Sequence, residues 1–173
     1  MASNRTGGQP QNIVLTGFMG TGKSTVGPVV AKILGWTFVD ADDEIEAQIG
    51  MTIPEIFEKH GEIDFRRYES EICRGLAARH EQVIATGGGM LVDPGNRAVM
   101  QSTGLLICLV ARPDVIQARL GDGEGRPLAA GWESLYEQRR EAYAAIQHLL
   151  DTSSRSPEEI AREVVRLWQI ESR

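Results

Sequence analysis

Short apolar runs alternate along this chain with stretches in which apolar residues recur at threes and fours, the pattern made by alternating strands and helices. Asn12–Thr16 is the first run and stops at a glycine-rich turn. Helical spacing follows over Lys23–Leu34, with Gly35 placed as a C-terminal glycine. Trp36–Val39 reads as a second strand, closed by Asp40, Asp42 and Asp43. Helices are predicted next at about Asp43–Gln48 and from Thr52–Pro54 to about Lys59. Thr52 and Glu55 have capping-box spacing there, and Pro54 suits a first turn. Glu62–Arg79 is helical by the recurrence of Ile63, Phe65, Tyr68, Ile72, Leu76 and Ala77. Gln82–Thr86 is a strand running into Gly87-Gly88-Gly89, and Leu105–Val110 is the continuous apolar run of a strand buried on both faces. Helices over Pro113–Leu120 and Trp132–Gln147, a strand at His148–Asp151 and a helix from Pro157 onward complete the pattern; none is predicted between Gly89 and Leu105.

This alternation predicts an α/β fold: a three-layer α/β/α sandwich around a central parallel sheet of about five strands. Ligands on such sheets bind beyond the carboxyl ends of the strands, and every unusual residue cluster here falls at one of those ends. Residues 12–173 read as one domain, preceded by a polar leader, Met1–Gln11, expected to be disordered.

Composition narrows the function classes. A net charge of −6 argues against a nucleic-acid partner, and no apolar run is long enough to span a membrane. Fifteen of the eighteen basic residues are Arg, a bias that base composition explains. Cys73 and Cys108 are isolated among apolar neighbours and read as reduced, buried thiols. The cytoplasm is the default location.

The most specific chemistry lies after the first strand. Gly17-Phe-Met-Gly-Thr-Gly22-Lys23-Ser24 matches GxxxxGK[ST] between a strand and a helix, the setting that motif requires. Glycines let the backbone turn so that successive N–H groups and the helix N-terminus face phosphates. Gly20, Thr21, Gly22, Lys23, Ser24 and Thr25 are the candidate ATP-binding residues. Lys23 would reach the β- and γ-phosphates and Ser24 would ligate Mg²⁺.

Other clusters admit two readings each. Asp40 and Asp42, on an extended tail, would point into one site, one toward the Mg²⁺ shell through water and one toward an attacking hydroxyl; helix capping is the alternative. Arg66 and Arg67 are either a solvated face or a fork for a substrate carboxylate. The triplet Gly87–Gly89 suggests backbone pressed against a ligand, or unusual dihedrals. Gly121–Pro127 reads as a lid carrying Arg126 to the transferring phosphate, or as a plain connector. Arg139 and Arg140 share a helical stretch where a solvated face is again the alternative.

In this order the motifs resemble the shikimate kinase family from about Asn12 to the last helix. The matching stretches are residues 12–25, Phe-Val-Asp-Ala-Asp (38–42), Ile-Phe (56–57) and Phe-Arg-Arg-Tyr-Glu (65–69), then Ala-Thr-Gly-Gly-Gly (85–89), Arg-Pro-Leu (126–128), Arg-x-x-x-Tyr (139–143) and Asp-Thr (151–152). The resemblance implies a nucleoside-monophosphate-kinase-like fold, with a substrate-binding segment at about 40–80 and a lid at about 119–131. It implies a monomer that uses Mg²⁺ and ATP to phosphorylate the 3-hydroxyl of shikimate, a step toward the aromatic amino acids. By position, Asp42 is the base candidate and contacts the substrate hydroxyls, Arg66 and Arg139 hold the carboxylate, and Gly87, Gly88 and Gly89 line the same pocket. Lys23 and Arg126 attend the phosphates, Arg119 and Ser156–Pro157 flank the adenine, and Ser24 and, through water, Asp40 serve the metal. One departure stands out: Ala129–Glu133 shortens the stretch between Arg126 and Arg139, which leaves Arg140 open as the carboxylate ligand. A kinase of a gluconate-type acid, or a nucleotide-binding regulatory relative, are the competing functions.

Overall fold

The computed structural model describes residues 10–121 and 131–173. Five strands, β1 (Asn12–Thr16), β2 (Thr37–Asp40), β3 (Gln82–Ala85), β4 (Gly104–Val110) and β5 (His148–Asp151), form one parallel sheet in the order β2-β3-β1-β4-β5. The helices between them are α1 (Lys23–Leu34), α2 (Ala41–Ile49), α3 (Ile53–Ala77), α4 (Pro94–Thr103), α5 (Pro113–Leu120), α6 (Trp132–Ala144) and α7 (Pro157–Glu171). The expected parallel three-layer sandwich is the fold observed.

Strand side chains alternate faces, and both faces are buried here. Ile13, Leu15, Val83, Leu105, Ile107 and Leu109 pack on one side with Val26 and Val30 of α1 and Ile160, Ala161 and Val164 of α7. Val14, Ile84, Leu106 and Cys108 pack on the other with Ile45 of α2, Ile72 and Leu76 of α3, Met100 of α4 and Ile116 of α5. That two-sided burial is why the strands read as unbroken apolar runs.

Several boundaries differ from the sequence expectation, for identifiable reasons. Helix α2 starts at Ala41, because the Asp40 carboxylate accepts a hydrogen bond from Asp42 N and caps it. Asp42 therefore lies in a first helical turn and not on an extended tail. The predicted pair of helices over 52–79 is continuous except at Gly61, where φ 80° and ψ 173° break the helical path. Helix α4 was not foreseen, since only Ala98, Val99 and Met100 are apolar within it. Asp93 accepting from Asn96 N, followed by Pro94, is nevertheless a recognisable start signal. Among the described residues no helix is long and apolar enough to cross a membrane.

The sheet places three loops side by side. The phosphate loop follows β1, the glycine triplet follows β3, and α2 follows β2, all at the carboxyl edge. Gly17 begins the first of these with φ 133°, and a Cβ there would run into the Leu109 carbonyl of β4. We therefore expect Gly17→Ala to cost about 3 kcal/mol from backbone strain and overpacking. Thermal unfolding should show the midpoint falling by roughly 6–12 °C; an unchanged midpoint would count against the close approach of loop and strand.

Candidate active site

A cavity of about 710 Å³ opens over the carboxyl edge, a size suited to small-molecule ligands. One end is built by the phosphate loop. Gly20 and Gly22 take φ of 77° and 103°, and Gly22 sits at the N-cap of α1 without a side-chain cap, so the helix N-terminus is left to an anion. Lys23 Nζ donates to the carbonyls of Gly17 and Phe18 at 2.7 and 2.9 Å, folded back on its own loop. Ser24 and Thr25 are exposed on the cavity wall at the helix start.

Beside this loop stand the two aspartates. Ser24 Oγ donates to Asp40 Oδ2 at 3.2 Å while Asp40 Oδ1 caps α2, so both readings of Asp40, metal shell and helix cap, use the same carboxylate. Asp42, two residues on in the first turn of α2, lines the cavity. Burial pushes its pKa up to about 6; the neighbouring charges of Asp40 and Glu69 add to the rise, and Lys23 opposes it. A carboxylate poised near neutrality suits proton abstraction from a hydroxyl.

The glycine triplet forms the floor. None of the three takes a positive φ, so close packing and not unusual dihedrals accounts for them. A Cβ on Gly87 would lie 2.6 Å from Asp42 Oδ1, one on Gly88 3.0 Å from Arg139 Nη1, and one on Gly89 2.6 Å from Arg66 Nη1 and 3.1 Å from Arg139 Nη2. The triplet thus lets one acid and two guanidinium groups converge from α2, α3 and α6. Arg66 is held there by Glu69, a buried carboxylate 2.7 Å from Nη1, with Glu62 at 3.5 Å from Nη2. Burial raises the Glu69 pKa against the pull of that arginine. Arg139 is buried against the ring of Phe18, 6.0 Å from its centroid, and its neighbour Tyr143 donates to Gly88 O at 2.6 Å. Arg67 and Arg140 are exposed beside Asp64 and Glu137, so only Arg66 and Arg139 of the two arginine pairs face the cavity.

Next to the phosphate loop the wall continues with Arg119, Thr152, Arg155, Pro157 and Ile160. Arg119 Nη1 donates to Gly20 O and Thr152 Oγ1, both at 3.0 Å, and Thr152 Oγ1 donates to Thr21 O at 2.8 Å. This chain of bonds ties β5 and α5 to the phosphate loop. Ser156, expected beside the adenine, is not in the cavity wall: its side chain and backbone close a capping box with Glu159 at the start of α7. Arg126 and most of the expected lid, like most of the expected leader, lie outside the described residues.

Glu69, Tyr143, Thr152 and Arg155 carry no role in the sequence reading. Glu69, Tyr143 and Thr152 do stand in the matching motifs, and helical spacing sets Glu69 three residues from Arg66 and Tyr143 four from Arg139.

The same chemistry recurs in known proteins. The family model described as Shikimate kinase matches residues 19–169. The shikimate kinase of Caldanaerobacter subterraneus subsp. tengcongensis is 42% identical over 164 residues, covering 91% of this chain and 96% of that one. Shikimate kinase from Acinetobacter baumannii, solved in complex with shikimate, superposes with a TM-score of 0.86 at 33% identity, covering 93% of this chain and 94% of that one. The Aquifex aeolicus shikimate kinase superposes at 0.78 with 34% identity, covering 91% and 96%. With a match running from the phosphate loop into α7 and a relative 42% identical along 91% of its length, the chain belongs to the shikimate kinase family.

Proposed function

We propose that this chain transfers the γ-phosphate of ATP to the 3-hydroxyl of shikimate, and that its residues work as follows. The observation that carries the reading is the convergence of Asp42, Arg66 and Arg139 on the Gly87–Gly89 floor, beside a phosphate loop. Two fixed guanidinium groups suit one compact carboxylate, and an acid of raised pKa suits the hydroxyl on the far side of the same ring.

In the reaction, Asp42 orients the 3-hydroxyl and takes its proton. The oxygen attacks the γ-phosphorus, the bond from that phosphorus to the β-phosphate oxygen breaks, and ADP leaves. Lys23 swings from the Gly17 and Phe18 carbonyls to the β- and γ-phosphates, while the N-terminus of α1 faces their charge. Arg119, Arg155, Pro157 and Ile160 flank the nucleotide base. The segment 40–80 binds the acid substrate and 119–131 serves as the lid, with Arg126 acting on the phosphates.

Ser24 Oγ and Asp40, directly or through water, fit Mg²⁺. They are hard oxygen donors already paired at 3.2 Å, and Mg²⁺ with a nucleotide needs only one or two protein oxygens. When bound, the ion neutralises charge on the transferring phosphate. The proposal includes a cytoplasmic monomer working on two small molecules.

ADP release followed with Mg²⁺ and ATP present, and with shikimate, quinate or gluconate added separately, tests the reading. Stimulation by shikimate alone is expected; stimulation by gluconate alone, or by none, would overturn it.

Asp42→Asn should lower kcat by at least about 10²-fold while ATP affinity stays within about twofold. In the unsubstituted enzyme kcat/KM should fall about tenfold per pH unit below about 6, as Asp42 takes up its proton. The stability linkage has the opposite sign. A folded pKa of about 6 against 3.8 favours the fold at low pH, and that contribution is lost as pH rises through 6. Asp42→Asn should therefore melt no lower than the parent at pH 8; a marked drop would deny the strain assigned to the ionised acid.

A further inference from the structure

Resting on the shikimate reading above, we propose that Tyr143, buried behind the cavity wall, is a positioning residue that sets Arg139 and the glycine floor in one geometry for the substrate's carboxylate. Its hydroxyl donates to Gly88 O at 2.6 Å, and the Arg139 guanidinium stands beside it around the same glycine, with Nη1 and the phenol oxygen 3.0 and 3.5 Å from where a Gly88 Cβ would be. The phenol thus ties α6, which also carries Arg139, to a backbone carbonyl after β3.

The link has a consequence for the floor. With the Gly88 carbonyl turned to Tyr143, the N–H of the same planar peptide, that of Gly89, points the opposite way. Both glycines line the cavity, so a donor turned away from the buried Tyr143 is available to a ligand there. None of the N–H groups of Gly87, Gly88 and Gly89 meets an acceptor among the described residues. Half-buried donors of this kind are satisfied by an incoming oxygen, and their aim is set before it arrives. Arg139 Nη1 and Nη2 lie against the same two glycines, at 3.0 and 3.1 Å from where their Cβ atoms would be. A tilt of the Gly88–Gly89 peptide would therefore displace the guanidinium, and the bond from Tyr143 to Gly88 O resists that tilt. Burial also pushes the phenol pKa up to about 12, which keeps its proton on the hydroxyl throughout the working range.

Tyr143→Phe removes the hydroxyl and keeps the ring among its apolar neighbours. The KM for shikimate should rise about tenfold, with kcat within about threefold and the KM for ATP unchanged. The melting temperature should stay within a few degrees. Paired with Arg139→Lys, the double variant should lose less than the two single losses combined, because both act on one geometry. An unchanged shikimate KM, or equal rises in both KM values, would overturn the proposal. A second measurement needs no variant. In the unsubstituted enzyme without shikimate, the amides of Gly88 and Gly89 should show order parameters near about 0.85; values below about 0.6 would overturn the pinning. If the parent does not phosphorylate shikimate, the function reading has failed. A parent that does, with a Tyr143→Phe variant of normal KM, removes Tyr143 alone.

Discussion

The absence of Cβ atoms at Gly87, Gly88 and Gly89 is what lets Asp42, Arg66 and Arg139 meet in one place. Each of these side chains comes from a different helix, and each packs where a glycine side chain would otherwise stand. The sheet makes the meeting possible by bringing β2, β3 and β1 together, so that α2, the triplet and the phosphate loop share one edge. Core packing holds that edge from both faces, with Cys108 and Ile84 beneath one side and Leu15 and Leu109 beneath the other. The acceptor end and the nucleotide end are then two regions of one cavity.

Electrostatics completes the arrangement, at a cost to stability. Asp40, Asp42 and Glu69 crowd the site with carboxylates, and burial raises the pKa of the latter two. Glu69 fixes Arg66 at 2.7 Å, and removing Arg66 would leave the buried Glu69 carboxylate without its closest cation. Asp42 keeps a raised pKa despite the opposing charge of Lys23. Its unfavourable ionisation is what the proposed role of a base near neutral pH requires.

Much of this was legible in the sequence, unevenly. The phosphate loop was plain, because GxxxxGK[ST] fixes a backbone shape that few other sequences adopt. Gly87–Gly89 announced a close approach, yet what approaches comes from residues 42, 66 and 139, and contacts between distant segments carry no local signal. Asp42 does line the cavity, but the sequence placed it on an extended tail, whereas the capping bond from Asp42 N to Asp40 starts α2 early. The choice between Arg139 and Arg140 depends on which side of α6 faces the floor. The packing of Phe18 with Trp132 and Tyr136 accompanies that orientation, with Arg139 over the Phe18 ring. Helix α4 escaped notice because a short polar helix has almost no apolar period, and Asn96 holds it through a bond to Met90 O that only the fold creates.

The central claim is that missing side chains at the floor create the acceptor site. Gly89→Ala tests it most directly, with shikimate and ATP binding measured separately by calorimetric titration. The added methyl would stand 2.6 Å from Arg66 Nη1 and 3.1 Å from Arg139 Nη2, displacing both cations. Shikimate affinity should fall by more than about tenfold while ATP affinity holds, as expected when only one of two subsites is disturbed. Unchanged shikimate affinity would contradict the account.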